Sequence, residues 1–135
     1  MRDGKTRRLD RQESDHSLGG YLRTHDVRLV AMDGQNSGTG FRIAQERYIL
    51  GRGPGVDLML DDQAMSRQHA VIEYDGEAFR IRDLGSTNGI AVNGRVVQVS
   101  ELTGGDQIEV GSQVFRYVVE EHEVEPEVYE LTPEG

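Results

Sequence analysis

Apolar and polar positions alternate in short runs between about residue 26 and residue 120, the period-two signature of strands buried on one face. In DVRLVAMD (26–33) Val27, Leu29 and Ala31 share one face and Arg28 takes the other. HAVIEYD (69–75) groups Ala70, Ile72 and Tyr74, and AFRIRDL (78–84) turns Phe79 and Ile81 inward with Arg80 and Arg82 outward. Between those two runs Asp75-Gly76 is a hairpin signal, as is Asn93-Gly94 between IAV (90–92) and RVVQV (95–99). FRIAQERYIL (41–50) predicts two short strands around a turn near Gln45–Glu46, and VDLML (56–60), QIEVG (107–111) and QVFRYVVE (113–120) predict further strands. No segment carries a helical period. The expected fold is all-β: a two-sheet antiparallel β-sandwich of about eleven strands, which buries one face of each sheet. A closed barrel would also satisfy the pattern.

Composition agrees. Aromatics are 6% of the 135 residues, so the core must rest on Val, Ile and Leu, and the 17 glycines cluster between apolar runs, where tight turns need them. The flanks differ from the middle. Residues 1–25 are polar with little periodicity and are expected to be a mobile extension, although Leu18, Tyr21 and Leu22 offer apolar groups to the domain. Residues 26–120 form the expected folded unit. Residues 121–135 form an acidic tail, also expected to be mobile, and from Glu120 onward seven glutamates occur with no Lys or Arg.

The formal net charge is −9, a poor balance for nucleic acid, whose binding draws on clustered Lys and Arg. No stretch approaches a membrane span of roughly 18 apolar residues, and no apolar signal region follows the charged start. There is no cysteine. The expectation is a cytoplasmic monomer that needs no cofactor and meets neither membrane nor nucleic acid.

Three loops carry the chemistry: Gly51-Arg52, Ser66-Arg67-Gln68-His69 and Ser86-Thr87-Asn88-Gly89. Each ends a predicted strand, and in a sandwich such loops gather at one end. Together they offer two guanidinium groups, hydroxyls and a carboxamide, and none of their side chains is an acid. That set suits a phosphate dianion, with Arg52 and Arg67 making charge-assisted contacts and Ser66 and Thr87 supplying hydroxyls. Asn88 carries both donor and acceptor and can pair with a peptide backbone.

The ordered series Gly51-Arg52, Ser66-x-x-His69, Ser86-Thr87-Asn88-Gly89 and Asn93-Gly94 resembles the forkhead-associated (FHA) domain, a phosphothreonine-binding family, over about residues 27–119. The resemblance implies an eleven-stranded sandwich that docks phosphothreonine peptides of Ser/Thr kinase pathways through loops at one end. It implies that Arg52 grips the phosphate and Ser66 donates to it. Arg67 adds a contact, Thr87 lines the site beside the threonine methyl, and Asn88 holds the peptide main chain. Gly51, His69 and Gly89 are implied to support the site rather than touch ligand.

Other readings compete. Ser66 with His69 and the nearby Asp61 or Asp62 invites a nucleophilic triad, but no G-x-S-x-G elbow occurs. The only lysine is Lys5, so the glycine-rich loops lack a P-loop lysine. His16, His25, His69 and His122 have no metal-ligand spacing. The same fold can also act as a phospho-independent assembly module. Alternatively a phosphorylated threonine of the flanks (Thr6, Thr24 or Thr132) could occupy the domain's own site.

Overall fold

A computed structural model describes residues 17–123, except Gln35. Eleven strands follow in order: β1 (His25–Ala31), β2 (Gly40–Arg42), β3 (Arg47–Gly51), β4 (Leu58–Met59), β5 (Ala70–Tyr74), β6 (Phe79–Asp83), β7 (Ile90–Val92), β8 (Arg95–Val97), β9 (Val99–Glu101), β10 (Gln107–Val110) and β11 (Gln113–Glu121). They build a six-stranded sheet, order β2-β1-β11-β10-β7-β8, and a five-stranded sheet, order β4-β3-β5-β6-β9. Every pairing is antiparallel except that of β3 with β4, which is parallel.

The alternation fixes which faces meet. On one sheet Val27 lies opposite Val119, Leu29 opposite Tyr117 and Ala31 opposite Phe115. On the other Tyr48 lies opposite Ile72, and Ile72 opposite Ile81. These inward rows make one buried cluster between the sheets. The Asn93-Gly94 hairpin forms as expected between β7 and β8. Both turn residues have positive φ, 53° and 84°, as the tight mirror-image turn requires.

RVVQV does not continue as one strand. The chain leaves the six-stranded sheet after Val97 and enters the five-stranded sheet at Val99. Outside the five-stranded sheet, Arg47, Glu73, Arg80 and Glu101 stand directly opposite one another across four strands, an alternating ladder of charge. Glu73 also bonds Arg82 at 2.9 Å.

One helix occurs among the described residues, α1 (Leu18–Thr24), inside the stretch expected to be mobile. Ser17 caps it, accepting from the Gly20 N–H at 3.0 Å. Leu18, Tyr21 and Leu22 pack on the core. The Tyr21 ring stacks on His25 at 3.9 Å and meets Tyr74 and Phe79 at 5.2 and 6.0 Å. A seven-residue helix with two glycines is marginal alone, so its order derives from this docking. The remainder of the expected extensions, residues 1–16 and 124–135, lies outside the described residues. No described helix is long and apolar enough to cross a membrane.

Candidate functional site

The three loops converge at one end of the sandwich, beyond the last residue of β3, the first of β5 and the last of β6. Backbone bonds bring the first two together. The Arg52 N–H donates to the Ser66 carbonyl at 3.0 Å, and the Gly53 N–H to the Arg67 carbonyl at 3.1 Å. This approach explains Gly51: a Cβ there would lie 2.0 Å from the Arg67 carbonyl oxygen. At Gly53 a Cβ would meet the Arg67 Cβ at 2.9 Å and its Nε at 3.2 Å. The Arg67 side chain therefore runs over the bare backbone of the loop that carries Arg52. Sequence reasoning missed Gly53, whose signal is the spacing G-R-G.

The third loop is joined through Ser66. Its Oγ accepts from the Thr87 N–H at 3.1 Å. An accepting hydroxyl keeps its own proton to give, so Ser66 is anchored and still a donor. Asn88 Nδ2 donates to the Ala64 carbonyl at 2.8 Å, leaving Oδ1 and a second N–H. Arg52, Arg67, Thr87 and Asn88 are exposed and Ser66 is half-buried. Among the described residues the ion pairs involve His25, Arg28, Arg42, Arg47 and Arg82, and neither Arg52 nor Arg67 takes part.

His69 braces the arrangement. It is fully buried. Its Nδ1 accepts from the Ser66 N–H at 3.0 Å, so that nitrogen carries no proton. Its Nε2 lies 2.8 Å from the Gly89 carbonyl, which can only accept, so Nε2 bears the proton. Both ring nitrogens are committed, and neither remains to take a proton from the Ser66 hydroxyl. The triad reading fails on that geometry. Gly89 has φ 78°, a conformation that suits glycine. Ser86 extends the bracing: its hydroxyl bonds the Asp83 carboxylate and accepts from the Gly89 N–H at 2.9 Å. Asp83 escaped sequence reasoning, and Ser86 was named there only as part of its loop, without this bracing role, although Asp-x-x-Ser at a strand end is a recognisable turn pattern.

The FHA-domain family profile matches residues 48–111. A solved structure described as an analysis of phosphothreonine-dependent FHA domain interactions superposes with a TM-score of 0.63. It is 35% identical and covers 73% of this chain and 98% of its own. The chain belongs to the FHA-domain family. Among curated relatives of this FHA domain, the oxoglutarate dehydrogenase inhibitor of Corynebacterium jeikeium is 40% identical over 90 residues, covering 67% of this chain and 61% of the relative. The glycogen accumulation regulator GarA of Mycolicibacterium smegmatis is 39% identical over 90 residues, covering 67% and 56%. The chain thus spans about three fifths or less of the length of these relatives.

Proposed function

We propose that this FHA domain captures a phosphothreonine-bearing segment of a partner protein within Ser/Thr kinase signalling, as a binding module and not a catalyst. The observation that carries the proposal is the bonded chain from Arg52 through Ser66 to Thr87, which holds two arginines, a hydroxyl donor and a carboxamide on one rigid end. Phosphorylation adds about −1.5 to −2 charge and three acceptor oxygens. Arg52 and Arg67 meet the charge, the Ser66 hydroxyl donates to an oxygen, Thr87 lies beside the threonine methyl, and Asn88 pairs with the peptide main chain. The unphosphorylated hydroxyl offers these donors little, so binding is switchable. The relatives' names describe regulators, which fits a module that binds on command. A cytoplasmic monomer that meets neither membrane nor nucleic acid completes this reading.

The autoinhibited form draws no support from Thr24. Tyr74 and Phe79, against which α1 packs, flank the β5–β6 turn, at the far end of those strands from Ala70 and Asp83. Docked α1 therefore keeps Thr24 at the opposite end from the site. Thr6 and Thr132 lie outside the described residues. Calorimetric titration of one peptide in phosphothreonine, phosphoserine and unmodified forms tests the proposal. Tight binding of the first alone is expected, and equal binding of the phosphothreonine and unmodified forms would overturn it.

A further inference from the structure

The loop between β4 and β5 carries Ser66 and Arg67. It is held near its start by a carboxylate to which the phosphate-binding reading gives no task. Asp62 Oδ1 accepts from the Ala64 N–H at 3.0 Å. Its Oδ2 accepts from both the N–H and the hydroxyl of Ser112, each at 2.8 Å. Ser112 lies fifty residues on, in the turn between β10 and β11. Loop and turn meet closely. A Cβ at Gly111 would fall 2.8 Å from Asp62 Oδ2 and 3.3 Å from Met65 Cε, and Met65 is buried beneath them.

Ala64 is the shared element. Asp62 holds its N–H, and the Asn88 carboxamide holds its carbonyl. That second bond fixes the plane of the Asn88 amide, which otherwise turns freely on an exposed loop. We propose that Asp62 is a positioning residue: by tying Ala64 to the β10–β11 turn, it sets the orientation in which Asn88 presents Oδ1 and its remaining N–H to the peptide main chain. This rests on the phosphothreonine-peptide reading and deepens it. It makes the grip on residues flanking the phosphothreonine depend on Asp62 and Ser112, which lie outside the set of contact residues.

The chemistry requires a carboxylate. All three partners of Asp62 are donors, and an ionised carboxyl is acceptor-only. An asparagine would set an N–H against at least one backbone N–H. Burial opposes ionisation of Asp62, but the hydrogen bonds from Ser112 and Ala64 outweigh it and hold the carboxyl below its ordinary range. The side chain therefore stays charged under the conditions in which a phosphate dianion exists.

A double-mutant cycle on phosphothreonine-peptide binding tests the role. Asp62→Asn should weaken the peptide about fivefold to thirtyfold, in line with couplings between residues of one hydrogen-bond network. In an Asn88→Ala background the same substitution should weaken it by less than about twofold, because the group it positions is gone. Free phosphothreonine, which lacks flanking residues, should bind Asp62→Asn nearly as it binds wild type. Ser112→Ala removes one of the three bonds. It should show a smaller loss with the same dependence on Asn88, and it serves if Asp62→Asn fails to fold.

Multiplicative losses in the cycle, or unchanged peptide affinity in Asp62→Asn, would overturn the positioning role while leaving phosphothreonine recognition intact. Wild-type binding that ignores phosphorylation would overturn the underlying reading, and the positioning role with it.

Discussion

The Nε2–H of His69 donates to the carbonyl of Gly89 across 2.8 Å and twenty residues of sequence. One imidazole thus fastens the Ser66 loop to the Asn88 loop, since its Nδ1 also receives the Ser66 N–H. His69→Ala leaves a half-buried N–H and a half-buried carbonyl without their partner and opens a cavity. A loss of about 2–5 kcal/mol is expected, read from urea denaturation. A loss below about 1 kcal/mol would show that the two loops hold each other without it.

Arg52 supplies a planar guanidinium that can meet two phosphate oxygens at once, which an ammonium cannot. Arg52→Ala should reduce phosphopeptide binding by about 2–5 kcal/mol, and Arg52→Lys should recover only part of that loss. Thermal midpoints of both variants should stay near wild type, because the side chain is exposed and the loop is held by its backbone N–H. Calorimetry and thermal melts on the same samples separate the two effects.

Asp75 closes the β5–β6 turn. Hydrogen bonds from the Ala78 and Glu77 N–H groups hold its carboxyl below the usual carboxylate range. Glu73 is held low chiefly by its hydrogen bond with Arg82. A carboxyl that binds its proton less readily in the folded chain stabilises the fold above its unfolded value of about 4, and loses that contribution as pH falls through the lower folded value. The stability difference between wild type and Asp75→Asn should therefore be constant near neutral pH and shrink as pH drops below about 4. Chemical denaturation at a series of pH values measures it, and a difference that widens in acid would contradict the assignment.

Docked α1 covers the end of the core far from the recognition loops. Tyr21→Ala removes a half-buried ring from contact with His25, Tyr74 and Phe79. It should cost about 1–3 kcal/mol of stability, less than a fully buried aromatic would. Phosphopeptide affinity should be unchanged, and a large affinity change would mean that the two ends communicate.

The strand pattern was largely legible because alternation reports burial directly, as Leu29 against Tyr117 and Ile72 against Ile81 show. It carries no information on strand direction, so the parallel pairing of Leu50 with Leu58 was invisible. It also cannot show that Val97 and Val99 serve different sheets: V-Q-V reads as one strand, whereas the change of sheet at Gln98 leaves Val97 against the core and turns Val99, opposite Arg82, to the outer face. Helix α1 gave no period: seven residues with a Gly-Gly pair are held by Tyr21 reaching Phe79, a contact between distant segments. At the site, the order of the loops pointed to Arg52, Ser66 and Asn88, and their spacing carried the family resemblance. The bonds that hold those residues still were hidden. Asp62 to Ser112 and Asn88 to Ala64 join residues that no local pattern relates.

The charge ladder of Arg47, Glu73, Arg80 and Glu101 has a consequence for how the domain meets anions. On that flank each cation has an anion beside it, and the molecule as a whole carries −9. The charges of that flank are therefore matched locally, and their fields fade within a screening distance of about 8 Å at physiological salt. On the phosphothreonine reading, the pull on an approaching phosphate therefore falls to Arg52 and Arg67, which take part in none of the ion pairs among the described residues.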